Sequence, residues 1–208
     1  MSKQISIDKI IKATLTGIKK SQEQYEIWSG GSWLWEAPEY FITFNVANKI
    51  SDLVGSKYIT LENNTKSTIS VAGCLGKGRL SRDLRERGRV DILLWWGNNK
   101  PRAVIELKNF IYVKNQYEKD IKRIKELLKR NSSASSLQFG ILGFCDSADN
   151  GSQKSAKEKI NDKIKIIKNN VINILGENFQ TSVKSTRIHE IEDSAWCASC
   201  IFIKHKPT

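Results

Sequence analysis

Hydrophobic positions recur along the chain with two periods, which predict where helices and strands form. Near the N-terminus the spacing is three or four residues, as on one face of a helix: Ile7, Ile10, Ile11, Leu15 and Ile18. A second helix is expected from about Ala37, with Pro38 in its first turn. The apolar face predicted for this second helix consists of Phe41, Phe44, Ala47, Ile50 and Val54.

The complete pattern predicts elements in the order α-α-β-β-β-α-β-α-β. The loop "GNNKP" between the second and third strands has the turn chemistry of a hairpin. Because no repeat or linker interrupts the chain, residues 1–208 are expected to form one α/β domain with a mixed sheet. The predicted helices cover 5–27, a segment from about 37, 115–130 and 156–175, and the predicted strands cover 68–74, 90–96, 102–109, 136–144 and 195–204.

Three charged residues interrupt the apolar strands on the two sides of this hairpin loop. Asp91 opens one hydrophobic run, and Glu106 and Lys108 close the next one. Because side chains alternate along a strand, Glu106 and Lys108 lie on the same face. If the hairpin turns about the Asn98–Asn99 bond, Asp91 and Glu106 face each other with Cβ atoms about 5 Å apart. Two carboxylates in that position require a positive charge between them.

Two kinds of cation can meet this requirement. One is Lys108 itself, in a structural salt bridge to Glu106 or Asp91. The other is Mg²⁺, held by Asp91, Glu106 and the backbone carbonyl of Leu107. Such an ion polarises a phosphoryl group and acidifies a bound water. Lys108 would then orient or deprotonate that water, for which a lowered pKa is expected, or it would stabilise the developing charge.

The net charge of the chain favours a polyanionic partner. Its 34 Lys and Arg residues against 22 Asp and Glu residues give a formal charge of +12. No stretch has the character of a basic amphipathic anchor, so nucleic acid is favoured over a membrane, and a generally Lys-rich composition is the alternative explanation. No apolar run approaches the ~20 residues of a membrane span, and the N-terminus lacks a signal-peptide core. The chain is therefore expected to be cytoplasmic.

The four cysteines are expected to be free thiols. Cys197 and Cys200 form a CxxC, for which a zinc site is one interpretation. However, two residues three apart in a predicted strand lie on opposite faces, so buried structural thiols are the preferred interpretation.

The residues around the hairpin resemble the PD-(D/E)XK nuclease superfamily, which has the restriction-endonuclease-like fold. The segments "GRVDILL" and "AVIELK" match its motif at Asp91, Glu106 and Lys108, with Val90 in place of the usual proline. The core that is characteristic of this family, a helix, a three-stranded meander, a helix and a further strand, matches the predicted order from about Glu36 to Phe144.

This resemblance implies a catalytic core at 36–208, preceded by an N-terminal helical extension at 1–35. It implies hydrolysis of phosphodiester bonds, most often in DNA, with Mg²⁺ as cofactor and Mn²⁺ as a substitute. Members often carry a glutamate on the first core helix, for which Glu39 is the candidate and Glu36 the alternative. The predicted catalytic residues are Asp91, Glu106, Lys108 and Glu39, and the predicted metal ligands are Asp91, Glu106, Leu107 and Glu39.

An arginine-rich segment leads directly into the Asp91 strand and is expected to hold phosphates at the rim of the site. Gln116, near the start of the following helix, is a further candidate because some relatives place a glutamine near the substrate there. The predicted nucleic-acid-binding residues are Lys77, Arg79, Arg82, Arg85, Arg87, Arg89 and Gln116.

A compact catalytic domain leaves little room for sequence readout, so a homodimer or a partner subunit is expected. Restriction or anti-phage defence is the context that the family suggests by analogy. Two alternatives remain: a catalytically silent nucleic-acid-binding or scaffold module of the same fold, and a nuclease that acts on RNA.

Overall fold

The computed structural model describes residues 4–55, 57–75, 79–84, 88–129 and 133–206. Within these residues the chain is an α/β protein with a mixed seven-stranded sheet and five helices. The helices are α1 (Ile7–Ser29), α2 (Glu39–Ser51), α3 (Thr65–Val71), α4 (Asn115–Lys129) and α5 (Ala156–Leu175). The strands are β1 (Lys57–Asn64), β2 (Arg89–Trp96), β3 (Pro101–Lys108), β4 (Phe139–Asp149), β5 (Phe179–Ser185), β6 (His189–Ile191) and β7 (Ser194–His205).

The strands are ordered β1-β2-β3-β4-β7-β5 across the sheet, and β6 pairs with β7. Strands β3 and β4 are parallel, whereas the other neighbouring strands are antiparallel. In the β2–β3 hairpin, Ile92 pairs with Ile105 and Leu94 with Ala103, as a turn about the Asn98–Asn99 bond predicts. A bulge after Leu94 shifts the pairing closer to the turn.

Helices cover both faces of the sheet, so its central strands are buried on both sides. On one face α1 and α2 pack over Ile92, Ile105 and Leu107. On the other face α3, α4 and α5 pack over Leu93 and Val104. Asp91, Glu106 and Lys108 occupy alternate positions that direct them to this second face, at the end of the sheet remote from the hairpin turn.

The α1–α2 contact determines which face of α2 is buried. A Cβ atom on Gly17 would lie 2.5 Å from the Cα of Val46, so only glycine permits this approach of the two backbones. Val46 therefore faces α1, together with Ile42 and Ile50. The predicted apolar face of α2 was wrong at two positions, because Phe44 is 55% exposed and Val54, beyond the end of the helix, is 96% exposed. Ile50 is buried as predicted, and Phe41 and Ala47 pack against the core.

The strand predicted at 68–74 was also wrong, because most of this segment belongs to α3. The side chain of Asn64 accepts a hydrogen bond from the backbone N–H of Ser67 and so caps the helix. The hydroxyl of Thr68 donates to the carbonyl of Asn64, and Ile69 is buried against the core. The first strand of the meander is instead β1, whose last residue, Asn64, is this cap.

The later part of the chain follows the predicted order with two added strands, β5 and β6, which pair with β7. The predicted helix at 156–175 is confirmed as α5. All four cysteines are buried thiols that form no disulfide, and Cys197 and Cys200 pack into different clusters on opposite faces of β7. In the described parts of the chain, every helix is too short or too polar to cross a bilayer.

Candidate active site

Asp91 lies where strands β2 and β3 stop pairing. Ile92 and Ile105 form the last pair of the ladder at this end. Beyond this pair, the backbone N–H of Leu107 donates to Oδ2 of Asp91 at 2.7 Å. The Asp91 carboxylate thus replaces the backbone carbonyl that would accept this bond in a regular sheet. The expected direct pairing of Asp91 with Glu106 is thus replaced by a side-chain bond, and the two strands diverge around the acid.

Glu106 is 1% exposed and is bound by an arginine. Its Oε1 accepts from Nε of Arg123 at 2.8 Å and contacts Nη2 of the same residue at 2.7 Å. Its Oε2 is buried and has no hydrogen-bond partner among the described residues. A salt bridge from Lys108 to Glu106 was one interpretation of the sequence, but the partner of Glu106 is Arg123.

Lys108 connects the strand to two helices. Its Nζ lies 2.9 Å from Oε1 of Glu39, the first residue of α2, and 3.3 Å from Oδ2 of Asp120 on α4. Glu39 is therefore the helix acid that reaches the site. Glu36, the alternative, lies exposed in the short 3-10 turn before α2.

Asp120 and Arg123 belong to the site but were missed by the sequence analysis. They lie one turn apart on α4, and Nη2 of Arg123 contacts Oδ1 of Asp120 at 2.7 Å. A signal was present, because both residues fall next to the apolar positions Ile121 and Ile124 on the inward side of the helix. Charged residues in such positions need partners, and here those partners are Glu106 and Lys108.

Burial raises the pKa of both strand acids. For Asp91, burial raises the pKa to about 6, and the opposing effects of the Leu107 N–H and Lys108 do not offset it. For Glu106, burial and the nearby charge of Asp91 hold the pKa well above its usual range despite Arg123. These two carboxylates thus have less positive charge around them than their full ionisation requires.

The pKa of Lys108 moves in the opposite direction from the one that the sequence suggested. Burial by itself would lower this pKa, but Asp120, Glu39 and Asp91 together raise it. Lys108 is therefore a cation at neutral pH. It is suited to bind or stabilise negative charge and is not suited to accept a proton.

Of the four predicted metal ligands, Asp91, Glu106 and Leu107 lie together where β2 and β3 stop pairing, and Glu39 contacts Lys108. Within the described ranges, no group of three or more His, Cys, Asp and Glu side chains is arranged to hold a metal. However, Mg²⁺ requires only one or two protein carboxylates. Asp91 and the unpartnered Oε2 of Glu106 supply two, and the N–H and C=O of Leu107 leave the strand on the side of Asp91.

The predicted nucleic-acid-binding residues are described in part. Arg79, Arg82 and Arg89 are exposed, and the short turn containing Arg82 packs against α4, the helix of Asp120. Gln116 is exposed, and its Oε1 accepts from the backbone N–H groups of Tyr112 and Val113. The remaining three predicted residues lie outside the described residues: Lys77, Arg85 and Arg87.

Comparison of the chain with protein-family models, curated proteins and solved structures finds no match. The functional interpretation therefore depends on the geometry and charge of the site itself.

Proposed function

We propose that the chain is a metal-dependent nuclease of PD-(D/E)XK type that hydrolyses phosphodiester bonds in DNA. The observation that carries this proposal is the pair of acids at the diverging strand ends. Glu106 keeps an unpartnered buried oxygen there, and Asp91 has a pKa raised to about 6. Buried acids without sufficient positive charge are costly, and a bound divalent cation would supply that charge.

In this proposal Asp91, Glu106, the Leu107 carbonyl and Glu39 would hold Mg²⁺ or Mn²⁺. When bound, such an ion would supply Lewis-acid chemistry to a phosphoryl group and an attacking water. Lys108, which stays protonated, stabilises negative charge on the phosphate. Asp120 and Glu39 hold its ammonium group in place. Exposed Arg79, Arg82 and Arg89 bind the phosphate backbone of the substrate.

The biological setting that we propose is restriction or anti-phage defence in the cytoplasm, with the chain acting as a homodimer or with a partner subunit. A compact domain with one such acid cluster among its described residues would cut one strand at a time. A second copy would provide the second cut in a duplex.

A cleavage assay tests the proposed activity. The wild-type protein and the variants Asp91→Asn, Glu106→Gln and Lys108→Met are incubated with plasmid, linear DNA and RNA, in Mg²⁺ or in EDTA. We expect cleavage of DNA only with the metal, and a loss of at least about 100-fold in each variant. Lys122→Met, on the solvent side of α4, is the matched control and should cleave normally. Cleavage that persists in EDTA and in Lys108→Met would refute the mechanism.

Arg123 favours a second candidate, a catalytically silent module of the same fold that binds nucleic acid. Its guanidinium already provides the positive charge next to Glu106 that a metal would otherwise provide. Calorimetric titration with Mn²⁺ separates the two candidates without relying on activity. Binding of Mn²⁺ that is lost in Asp91→Asn supports the nuclease. Nucleic-acid binding without any Mn²⁺ binding supports the silent module.

A further inference from the structure

The loop between β3 and α4 presents an aromatic pair beside the acid cluster. Tyr112, four residues after Lys108, is 65% exposed. Its ring centroid lies 4.3 Å from that of Phe110, with the two planes inclined at 56°. Tyr112 is therefore largely accessible to solvent and is in tilted contact with Phe110.

Hydrogen bonds fix the backbone of this loop at both ends. Oε1 of Gln116 accepts from the N–H of Tyr112 at 2.6 Å and from the N–H of Val113 at 3.0 Å. At the other end, Nδ2 of Asn109 donates to the carbonyl of Ala37 at 2.7 Å. A ligand that contacts Tyr112 therefore meets a preformed surface, which reduces the entropy lost on binding. The role of Gln116 is accordingly to position this loop.

An ion pair between a buried acid and a partly exposed lysine lies against the aromatic rings. Asp146 of β4 is 0% exposed, and Lys163 of α5 contacts its Oδ1. Nζ of Lys163 lies 3.8 Å from the ring centroid of Phe110 and 5.9 Å from that of Tyr112. Burying such a pair contributes little net stability. Its effect here is to hold a cation against the rings, where it is attracted by their π-faces.

The sheet register places this ion pair next to the acid cluster. Lys108 lies beside Phe144 in the parallel β3–β4 pair. Asp146 follows two residues later and so points to the same face of the sheet as Lys108. The aromatic pair, the Lys163 cation and the acid cluster are thus spatial neighbours at one end of the sheet.

From this arrangement we infer that Tyr112 is a stacking site for an unpaired base. The strand that carries this base passes the Asp91–Glu106 cluster, and the Lys163 cation lies close to its backbone. Stacking on a tyrosine requires an accessible base face, which a duplex hides. The substrate class of the proposed nuclease is therefore DNA with an unpaired strand at the cleavage site: a single strand, or a frayed duplex in which a second copy would cut the other strand. This inference depends on the proposed function for the identity of the ligand.

Binding measurements test the inference in an Asp91→Asn background, in which cleavage is blocked. Labelled single-stranded and duplex oligonucleotides of the same sequence are titrated by fluorescence anisotropy. Tyr112→Ala should weaken single-strand binding about 5- to 150-fold, which corresponds to a stacking energy of about 1–3 kcal/mol. Duplex binding should change less than about two-fold. Tyr112→Phe, which keeps the ring, should bind single strands nearly normally.

Tyr58→Ala is the matched control, because Tyr58 is 37% exposed and lies beside Trp95, near the opposite end of β2. It should leave both affinities unchanged. Circular dichroism should show that every variant is folded. A 5-iodouracil strand provides a direct readout, since irradiation should cross-link it to Tyr112 in a peptide identified by mass spectrometry.

Four results would overturn the inference: single-strand affinity unaffected by Tyr112→Ala, equal losses on single strands and duplexes, cross-links at other residues only, or a folded protein that binds no single strand. These outcomes are separable from failure of the nuclease proposal. Cleavage by wild type with normal single-strand binding by the alanine variant refutes only the stacking site. Cross-linking at Tyr112 without cleavage by wild type refutes only the nuclease.

Discussion

Arg123→Met should strongly destabilise the protein, because Glu106 would lose its positive partner while remaining buried. The Arg123 side chain is 4% exposed and that of Glu106 is 1% exposed, and two arginine nitrogens contact Oε1. Removing one partner of a buried pair costs about 3–5 kcal/mol. For a domain of this size, each kcal/mol shifts Tm by roughly 2–4 °C. The expected decrease in Tm is therefore about 6–20 °C.

The decrease should depend on pH with a definite sign. Without Arg123, the pKa of Glu106 rises further above its value in the unfolded chain. Glu106 then releases its proton at a lower pH in the unfolded state than in the folded state. The variant therefore loses stability as pH rises. Thermal unfolding followed by circular dichroism should show a larger loss at pH 8 than at pH 5.

Two further variants complete this test. The double variant Glu106→Gln with Arg123→Met should recover at least half of the loss, because neutral groups then replace the charged pair. Lys122→Met, which removes an exposed partner of Glu118 on the same helix, should leave Tm nearly unchanged. A loss below about 2 °C in Arg123→Met, or no recovery in the double variant, would refute the reasoning.

Three other predictions follow from the same contacts. Asp91→Asn should be more stable than wild type at pH 8, because burial raises the pKa of Asp91 to about 6 and its ionisation is costly in the folded state. In urea unfolding, the higher free energy of unfolding of Asp91→Asn should disappear as pH falls from about 6 to about 4. A wild type that is more stable than Asp91→Asn at pH 8 would contradict this prediction. Mn²⁺ affinity measured by calorimetry should fall about ten-fold or more per pH unit below pH 6, since a proton must leave before the carboxylate binds metal; a flat profile would count against Asp91 as a ligand. Gly17→Ala should lower Tm by about 2–12 °C, because its Cβ would lie 2.5 Å from the Cα of Val46 and overpacking costs about 1–3 kcal/mol; an unchanged Tm would show that α1 and α2 can separate freely.

Local signals made the helices and central strands predictable from the sequence. The α5 helix was predicted at its observed bounds, and the structure shows the local signals at these ends: Ser155 and Glu158 form a capping box at its start, and Gly176 follows its end. The segment 68–74 was misassigned because its β-branched residues favour strands locally. Its helical state depends on the Asn64 cap and on the burial of Ile69, which a propensity argument does not include.

The site was predictable where it depends on strand alternation and unpredictable where it depends on helix packing. Glu106 and Lys108 share a face because they are two residues apart in one strand. The charge of Lys108 was misjudged because Asp120 reaches it from α4, far away in sequence. Only the packing of α4 on the sheet reveals that Arg123, and not Lys108, is the partner of Glu106.

The bond from the Leu107 N–H to Asp91 makes one side chain part of both the sheet and the site. Most substitutions in a catalytic cluster can be interpreted as changes in chemistry alone, but a truncation at this position would also remove a bond between two strands. Inactivity of an Asp91→Ala protein would therefore say little about the proposed reaction. Asparagine keeps an oxygen that can accept the same N–H. The Asp91→Asn variant therefore loses the charge while it keeps the hydrogen bond between the two strands.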